Sequence, residues 1–195
     1  MKKKIIRFVI TLATLIVLTL ACLLIYNYIY TPDVSYKKVN EALEFCKKHN
    51  LNTEYCIFVD FSEHAGKKRY IIYNLNDREI EYSSVCASGL NRNEFSNKEG
   101  SHLSSLGKYE VTPIVGKMGI GEECLVLEGL DSTNSNVRKR QILIHSHKSV
   151  YYNPGTYPFN FFYKNLSWGC FVIDKRAFKK TKRIAKPMLL WAYLW

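Results

Sequence analysis

The stretch Cys56-Ile57-Phe58-Val59-Asp60-Phe61 is rich in β-branched and aromatic residues, which is typical of a buried strand. Two similar runs come after it, Arg69-Tyr70-Ile71-Ile72-Tyr73 and Glu79-Ile80-Glu81-Tyr82-Ser83-Ser84-Val85. Gly66 and Asn74-Leu75-Asn76-Asp77 separate the runs with residues that favour tight turns. Short strands joined by turns predict an antiparallel sheet, and therefore a mainly β domain.

The rest of the chain continues this pattern and adds short helices. Residues 91–103 and 131–136 are polar and predict loops. Helical spacing of apolar residues predicts amphipathic helices over 34–49 and 175–185. The final nine residues predict a last strand, with an interfacial segment lying on a membrane as the alternative. Further strands are predicted at Gly107 to Pro113, Cys124 to Glu128, Gln141 to His145 and Cys170 to Ile173.

The N-terminus combines a basic start with a long apolar run. Residues 2–7 carry four cations, and the stretch from Phe8 to Tyr30 is uncharged and almost wholly apolar. About 20 such residues span a bilayer core, so a single-pass helix is predicted, and the positive-inside tendency places the rest of the chain outside the cytoplasm. A cleaved signal peptide is the main alternative. A lipoprotein interpretation of Thr19-Leu20-Ala21-Cys22 is weaker, because the apolar run continues beyond Cys22.

Length and charge set the domain organisation and the partners. The 195 residues suit one compact domain after the anchor. We expect an anchor over 1–30, a linker with an amphipathic helix over 31–53, and one folded domain over 54–195. The net charge is +11, with seven cations crowded between Lys175 and Lys186. A solvated helix face explains that cluster best, and attraction to anionic lipids or wall polymers is the alternative. An outward-facing domain argues against nucleic acid, and the oligomeric state is open.

Six cysteines occur without any Cys-x-x-Cys pair, which argues against structural zinc of the finger type. An isolated cysteine is more often an inert buried residue than a nucleophile. Cys22 falls in the predicted membrane helix. Four others could form two disulfides in any of three pairings, or none; they are Cys46, Cys56, Cys86 and Cys124.

One pair of segments carries the elements of nucleophilic chemistry. Ile142-Leu143-Ile144-His145-Ser146-His147 is typical of a buried strand that ends in two histidines, and Ser167-Trp168-Gly169-Cys170 leads into another strand. A thiolate is the attacking form of cysteine, and a neighbouring imidazole can take the thiol proton. Gly169 leaves room for a substrate carbonyl and exposes backbone N–H groups that could hold an oxyanion. These features make Cys170 a candidate nucleophile.

A metal site is an alternative use of the same residues. His145 and His147 share one face of an extended strand, and Cys170 or His102 could complete a zinc site. Carboxylates at useful spacing are missing, however, so no metal and no cofactor are predicted. A further possibility is that these residues have no function: the two histidines would be hydrogen-bonded within the fold and the thiol would be buried.

Several ordered blocks resemble the L,D-transpeptidase (YkuD-type) catalytic domain, in particular its murein L,D-transpeptidase branch. The resemblance covers the chain from about Tyr55 onward. It rests on Val59-Asp60-Phe61-Ser62, Phe95-Ser96-Asn97, Gly100-Ser101-His102-Leu103-Ser104-Ser105-Leu106-Gly107, Leu127-Glu128-Gly129-Leu130 with Asn134, Arg138 and Arg140, Ile144-His145-Ser146, and Ser167-Trp168-Gly169-Cys170.

This resemblance implies a β-sandwich with short helices that acts on peptidoglycan stem peptides. In that family the cysteine attacks the bond between an L-centre and a D-centre, and the thioester passes to an amine, which gives a crosslink, or to water. By position, Cys170 would be the nucleophile and His145 the base. Ser146 would orient His145 through its carbonyl, and N–H groups around Gly169 and Cys170 would form the oxyanion hole. Substrate contacts would fall to Ser167, Trp168, Asn97 and Arg140.

The chain departs from the family pattern at two places. Cys86-Ala87-Ser88-Gly89 stands where the branch usually has a histidine-glycine pair, and Phe171-Val172 stands where Pro-Ala is common. The first departure removes an auxiliary histidine and bears on acceptor choice. The alternatives to a transpeptidase are therefore an L,D-carboxypeptidase that hydrolyses the same bond and a wall-binding module with a lapsed site.

Overall fold

The computed structural model describes residues 2–91, 94–119, 121–151 and 167–194, which contain three α-helices and nine β-strands. The helices are α1 Lys2–Ile29, α2 Tyr36–Lys48 and α3 Lys175–Arg183. The strands are β1 Tyr55–Asp60, β2 Tyr70–Asn74, β3 Glu79–Ser84, β4 Cys86–Ala87, β5 Gly107–Lys117, β6 Glu123–Gly129, β7 Leu143–Ser146, β8 Phe171–Ile173 and β9 Met188–Tyr193. The predicted mainly β fold, preceded by one apolar helix, is confirmed. Residues 92–93 of a predicted loop and Trp195 of the predicted last strand lie outside the described residues.

Helix α1 is long and apolar enough to cross a membrane. Residues Lys2–Tyr26 contain an 18-residue window of mean hydropathy 2.9, and none of it is buried against the rest of the protein. A signal sequence would have the same length and composition. The helix is therefore a possible membrane span, as the sequence predicted.

The strands form one continuous sheet in the order β3-β2-β1-β9-β5-β6-β7-β8-β4. The predicted antiparallel pairing of β1 with β2 and of β2 with β3 is present. Two pairs are parallel, β1 with β9 and β7 with β8. Strand β9 lies between β1 and β5, in the middle of the sheet. The chain thus returns from α3 to join the two halves of the sheet.

The main core lies between these two halves. Ile57 and Ile72 of one half share a cluster with Ile144 and Phe171 of the other, and all four are buried. Phe61, just after β1, stacks on Phe171 with ring centroids 5.9 Å apart. The halves therefore face one another as the two layers of a sandwich, although hydrogen bonds connect them into a single sheet.

A second core explains why β1 is apolar at consecutive positions. Helix α2 buries Val39, Ala42 and Cys46 against the other face of β1, where Phe58 lies fully buried. Successive side chains of a strand point to opposite faces, so β1 needs apolar residues on both. Ser35 caps α2 by accepting a hydrogen bond from the N–H of Lys38 at 3.4 Å.

A third, smaller cluster lies at the edge formed by β4 and β8. Val85, Ala87, Val150 and Val172 are buried in it, and the side chain of Cys170 packs against it. The two-residue strand β4 was not predicted from the sequence. All six cysteines are free thiols in this structure.

Candidate active site

Two parallel strands place the predicted nucleophile and base on one face of the sheet. Strand β7 pairs with β8 in a register that puts Ile144 beside Phe171 and His145 beside Val172. The same register puts Cys170 beside Leu143, two positions before His145. Side chains two residues apart share a face, and diagonal neighbours on adjacent strands lie about 7–8 Å apart at Cα, within reach of long side chains. Cys170 and His145 therefore lie on the same face of two neighbouring strands.

The turn before Cys170 is held by its own serine. The Ser167 hydroxyl donates to the Cys170 carbonyl oxygen at 2.8 Å and accepts from the Gly169 N–H at 3.2 Å. Ser167 is buried. The structure thus places Ser167 inside the turn, and the Gly169 N–H, which was predicted to face an oxyanion, is engaged within the turn.

Gly169 is the point of closest approach between the turn and the chain around it. Its φ of +115° lies in a region that residues with side chains rarely adopt. An added Cβ would come within 2.6 Å of the Ile142 Cδ1 atom and 2.7 Å of the Leu103 carbonyl oxygen. The Ser104 hydroxyl donates to the Gly169 carbonyl oxygen at 3.1 Å and accepts from the Gly89 N–H at 3.0 Å. A buried serine therefore pins the turn to the segment after β4.

Arg140 organises the loop that packs against Gly169. Its guanidinium donates to the carbonyl oxygen of Ser96 at 2.6 Å, to that of Leu103, and to the Ser101 hydroxyl at 3.3 Å. Burial lowers the pKa of Arg140, and the neighbouring Cys170 acts in the opposite direction. Its predicted role was substrate contact, and the structure places its donors on loop groups.

The Cys170 thiol is partly buried and donates to a backbone carbonyl. Its Sγ lies 3.6 Å from the Gln141 carbonyl oxygen. Burial raises the pKa of Cys170 above its usual value, whereas the N–H of Leu143 and the charge of Arg140 act to lower it. Desolvation is the largest of these effects, so the thiol rests in its protonated form at neutral pH.

A backbone carbonyl orients the imidazole of His145. Its Nδ1 lies 3.3 Å from the carbonyl oxygen of Ser146, which agrees with the predicted orienting contact. With a proton on Nδ1 donated to that carbonyl, Nε2 has a lone pair available. Burial lowers the pKa of His145, and the carboxylate of Glu122 acts in the opposite direction. The ring is therefore neutral at pH 7.

Among the hydrogen bonds of the described residues, none joins the Cys170 sulfur to His145. Both groups are neutral in this state, and the thiol proton points to Gln141. Hydrogen bonds between catalytic groups are often long or absent before substrate binds. Proton transfer to His145 requires a rotation of the thiol away from the Gln141 carbonyl.

An aromatic pair stands beside the turn. Trp168 has 72% of its surface exposed, and its ring centroid lies 4.8 Å from that of His102. A large exposed ring next to a thiol offers apolar contact area to a ligand. The ring of His102 supports one side of the indole, and substrate contact by Trp168 stays a prediction.

Asn97 binds the loop over residues 132–136. Its amide nitrogen donates to the carbonyl oxygen of Ser132 and to the Ser135 hydroxyl, both at 3.0 Å. Its amide oxygen accepts from the N–H of Asn136 at 3.0 Å. Both ends of the amide are thus engaged in holding two loops together.

His147 comes directly after β7, and its ring accepts from the Ser149 N–H at 3.2 Å. In the described parts of the chain, no group of three or more His, Cys, Asp and Glu side chains is placed to hold a metal ion.

Sequence reasoning gave no role to Ser104, Gln141 or Leu143, which the structure brings to the thiol or its turn. Ser104 stands in a block that carried the family resemblance, which was the available signal for it. Gln141 and Leu143 act through backbone atoms, which leave no trace in residue type.

The fold and the site define a mainly β domain in which a cysteine and a histidine share one face of adjacent parallel strands. The family model described as YkuD_2, L,D-transpeptidase catalytic domain, matches residues 30–193. This chain therefore belongs to the L,D-transpeptidase catalytic domain family. Among curated proteins there is no match.

Two solved structures are similar at low identity. One is the L,D-transpeptidase (residues 123–326) from Xylanimonas cellulosilytica DSM 15894, with 11% identity, a TM-score of 0.40, and coverage of 71% of this chain and 60% of that one. The other is an L,D-transpeptidase from Mycobacterium smegmatis, with 11% identity, a TM-score of 0.40, and coverage of 72% and 58%. The similarity spans about three fifths of each of those chains.

Proposed function

We propose that this chain is a membrane-anchored L,D-transpeptidase that works outside the cytoplasm on peptidoglycan stem peptides, with Cys170 as nucleophile. The observation that carries the proposal is the placement of Cys170 and His145 on one face of two neighbouring strands, within a chain whose family is the L,D-transpeptidase catalytic domain. No cofactor is needed for this chemistry. Helix α1 is the proposed anchor.

The proposed reaction uses His145 twice. The Nε2 atom takes the Cys170 proton as the sulfur attacks the carbonyl carbon between the L- and D-centres, which forms a tetrahedral oxyanion. The N–H of Cys170 is the proposed donor to that oxyanion, and the Gly169 N–H can join it if Ser167 releases it. As the tetrahedral intermediate collapses, the C–N bond breaks and the leaving amine takes the proton from His145. A thioester on Cys170 remains.

Deacylation repeats these steps with an acceptor. An amine of a neighbouring stem attacks the thioester carbonyl, gives its proton to His145, and releases the thiolate, which is then reprotonated. The product is a crosslink. Water in place of the amine gives a shortened stem, so hydrolysis shares every step before deacylation.

The test is mass spectrometry of the full chain with a tetrapeptide stem that ends in a D-amino acid. We expect a mass increase on Cys170 that equals the stem without its terminal residue, and a crosslinked dimer when a second stem with a free side-chain amine is present. Cys170→Ser should lack the thioester, whereas Cys22→Ala, which also removes one thiol, should keep it.

Three outcomes contradict the proposal in different ways. A tripeptide without any dimer, in the presence of excess acceptor, identifies the chain as an L,D-carboxypeptidase. Binding of peptidoglycan that is unchanged by Cys170→Ala, without turnover of the stem, identifies a binding module. An adduct of equal size on Cys170→Ser shows that another residue reacts.

A further inference from the structure

The segment immediately after α1 is fastened to the loop after β1. The Tyr30 hydroxyl donates to the Glu63 carboxylate at 3.0 Å. The Lys67 ammonium lies 2.7 Å from the other oxygen of that carboxylate and 4.9 Å from the centre of the Tyr30 ring. The loop over residues 61–68 is therefore held at the level where the chain leaves α1.

That level corresponds to the headgroup layer of a bilayer. The candidate span ends at Tyr26, and four further residues at 1.5 Å each place Tyr30 about 6 Å beyond it. The headgroup layer is about 5–8 Å thick on each side of the hydrocarbon core. The loop over 61–68 thus lies among headgroups when α1 spans the membrane.

A basic groove of about 580 Å³ begins at this loop. Lys68 lines both the cavity at the α1 junction and this groove, which also contains Lys148, Lys175 and Arg176. Among the described residues that line the groove, Asp174 is the one carboxylate, and its oxygens accept from the N–H groups of α3 and from the Ser84 hydroxyl. Four cations therefore face a groove whose single acid is already engaged.

Two other basic residues of α3, Lys180 and Lys182, are paired with carboxylates. Lys180 pairs with Glu81 at 2.6 Å and Lys182 pairs with Glu123 at 2.6 Å. Lys148, Lys175 and Arg176 are exposed, and within the described residues none of the three is in an ion pair. Lys148, Lys175 and Arg176 therefore add positive charge to the groove, whereas Lys180 and Lys182 are each balanced by a carboxylate.

We propose that this basic groove binds the phosphate headgroups of anionic phospholipids in the leaflet where α1 ends. The proposal rests on the membrane anchoring proposed above and is independent of the catalytic assignment. Anionic headgroups attract clustered Lys and Arg side chains close to the membrane, and the tether at Tyr30 keeps the groove at a high effective concentration of lipid.

The contact would fix the orientation of the domain on the membrane. Val150 lines the groove and also belongs to the small cluster on which Cys170 packs. Lipid binding at the groove therefore holds the Cys170 edge of the sheet near the bilayer surface. Stem peptides close to the membrane would be the ones within reach.

The test compares the full chain in nanodiscs of phosphatidylcholine alone with nanodiscs that also contain phosphatidylglycerol. Acetylation of lysines, read by mass spectrometry, should be several-fold slower at Lys148 and Lys175 in the anionic discs, and high salt should remove the difference. Lys98 is also exposed, and its labelling should not change. Equal labelling of Lys148 and Lys175 in both discs would overturn the proposal, as would equal protection of Lys98.

Two sets of variants distinguish lipid binding at the groove from nonspecific electrostatic attraction of the domain to an anionic bilayer. Lys148→Gln/Lys175→Gln/Arg176→Gln should abolish the lipid-dependent protection of Lys68, whereas Lys98→Gln/Lys117→Gln/Lys139→Gln, with the same charge change, should retain it. Soluble polyglycerol phosphate is then added to the chain in phosphatidylcholine nanodiscs. If it slows acetylation of Lys148 and Lys175 as much as phosphatidylglycerol does, the assignment of the groove to lipid is overturned. Failure of the chain to enter either disc would overturn the anchoring and this proposal together, whereas incorporation with equal labelling would overturn the groove alone.

Discussion

At the scale of single residues, the site consists of a thiol and an imidazole that burial keeps neutral. Desolvation raises the pKa of Cys170 and lowers that of His145, which opposes a preformed thiolate–imidazolium pair. Cys170 would therefore react by transferring its proton to His145 as it attacks. This resting state protects the thiol from adventitious oxidation, because the thiolate is the reactive form.

The acid limb of the pH–rate profile depends on the His145 pKa. Burial disfavours the imidazolium, so the ring loses its proton at a lower pH than an ordinary histidine, whose pKa is about 6.5. His145 can therefore accept a proton at pH values below the pKa of an ordinary histidine. The midpoint of the fall in acylation rate at acid pH should lie below that pKa. Measurement of the acylation rate as a function of pH gives this midpoint. His145→Gln should remove the limb, and a wild-type midpoint above the ordinary histidine value would contradict the prediction.

Arg140 should act on the site through both its charge and its contacts. Its charge lowers the pKa of Cys170, so Arg140→Gln should raise the midpoint of thiol alkylation with pH. Arg140→Lys keeps the charge and should leave that midpoint nearly unchanged, while its single ammonium cannot reproduce the contacts to Ser96 and Leu103. Both variants should therefore lose turnover, but only Arg140→Gln should shift the alkylation profile.

Arg138 provides the control for these variants. It pairs with Glu128 at 2.7 Å on the surface, with 49% of its side chain exposed. Such pairs contribute about 0–1 kcal/mol, so Arg138→Gln should leave both turnover and the alkylation midpoint unchanged. If Arg138→Gln has as large an effect as Arg140→Gln, the loss of turnover and the shifted alkylation midpoint come from the change in net charge and not from the position of Arg140.

At the scale of elements, the turn into β8 depends on a backbone shape that only glycine adopts readily. Gly169 has a positive φ and meets the chain at Leu103 and Ile142. The Ser104 hydroxyl and the Arg140 guanidinium hold that chain in place from the other side. The position of Cys170 is thus set by contacts between three segments of the chain.

Gly169→Ala should displace this turn. A non-glycine residue in a rarely populated region costs about 1–3 kcal/mol, and the added Cβ would overlap the Leu103 carbonyl oxygen. We expect a lower free energy of unfolding in denaturant titration and loss of acylation. Gly119→Ala is the matched control, because no atom lies within 4 Å of its added Cβ and its φ is not positive. Normal acylation by Gly169→Ala would show that the turn does not position the thiol.

The elements also show what sequence patterns can and cannot predict. Local runs predicted β1, β2, β3 and both amphipathic helices, because strand and helix periodicity are properties of neighbouring residues. The parallel pairs β1–β9 and β7–β8 join distant segments, and residue type carries no record of such pairing. The roles predicted for Asn97 and Arg140 came from resemblance alone. Their observed partners are mostly backbone carbonyls and hydroxyls, which a sequence does not identify.

At the scale of the whole molecule, one strand connects the two halves of the sheet. Strand β9 pairs with β1 on one side and β5 on the other, and its Leu190 is fully buried in the main core. The halves therefore share one core and one ladder of hydrogen bonds. We expect them to unfold together.

Leu190→Ala should destabilise the entire domain. Truncation of a buried leucine to alanine costs about 2–5 kcal/mol, and the loss should lower a single cooperative transition in both circular dichroism and tryptophan fluorescence. Leu194→Ala removes the same atoms from a side chain that is 46% exposed, where changes stay within about 0.5 kcal/mol. Separate transitions for the two probes in Leu190→Ala would show that the halves fold independently.

The central place of β9 also sets the timing of folding during export. Strand β9 comes after β1 and β5 in the chain, and these two strands have no shared neighbour until β9 is synthesised. If α1 anchors the chain, the earlier strands cross the membrane first. The edges of β1 and β5 that pair with β9 then stay unpaired until β9 follows. A mutation that halts synthesis before Met188 would thus release a chain that contains both Cys170 and His145 and still cannot close its sheet. Such a product should be inactive and prone to aggregation, because exposed strand edges pair with other chains.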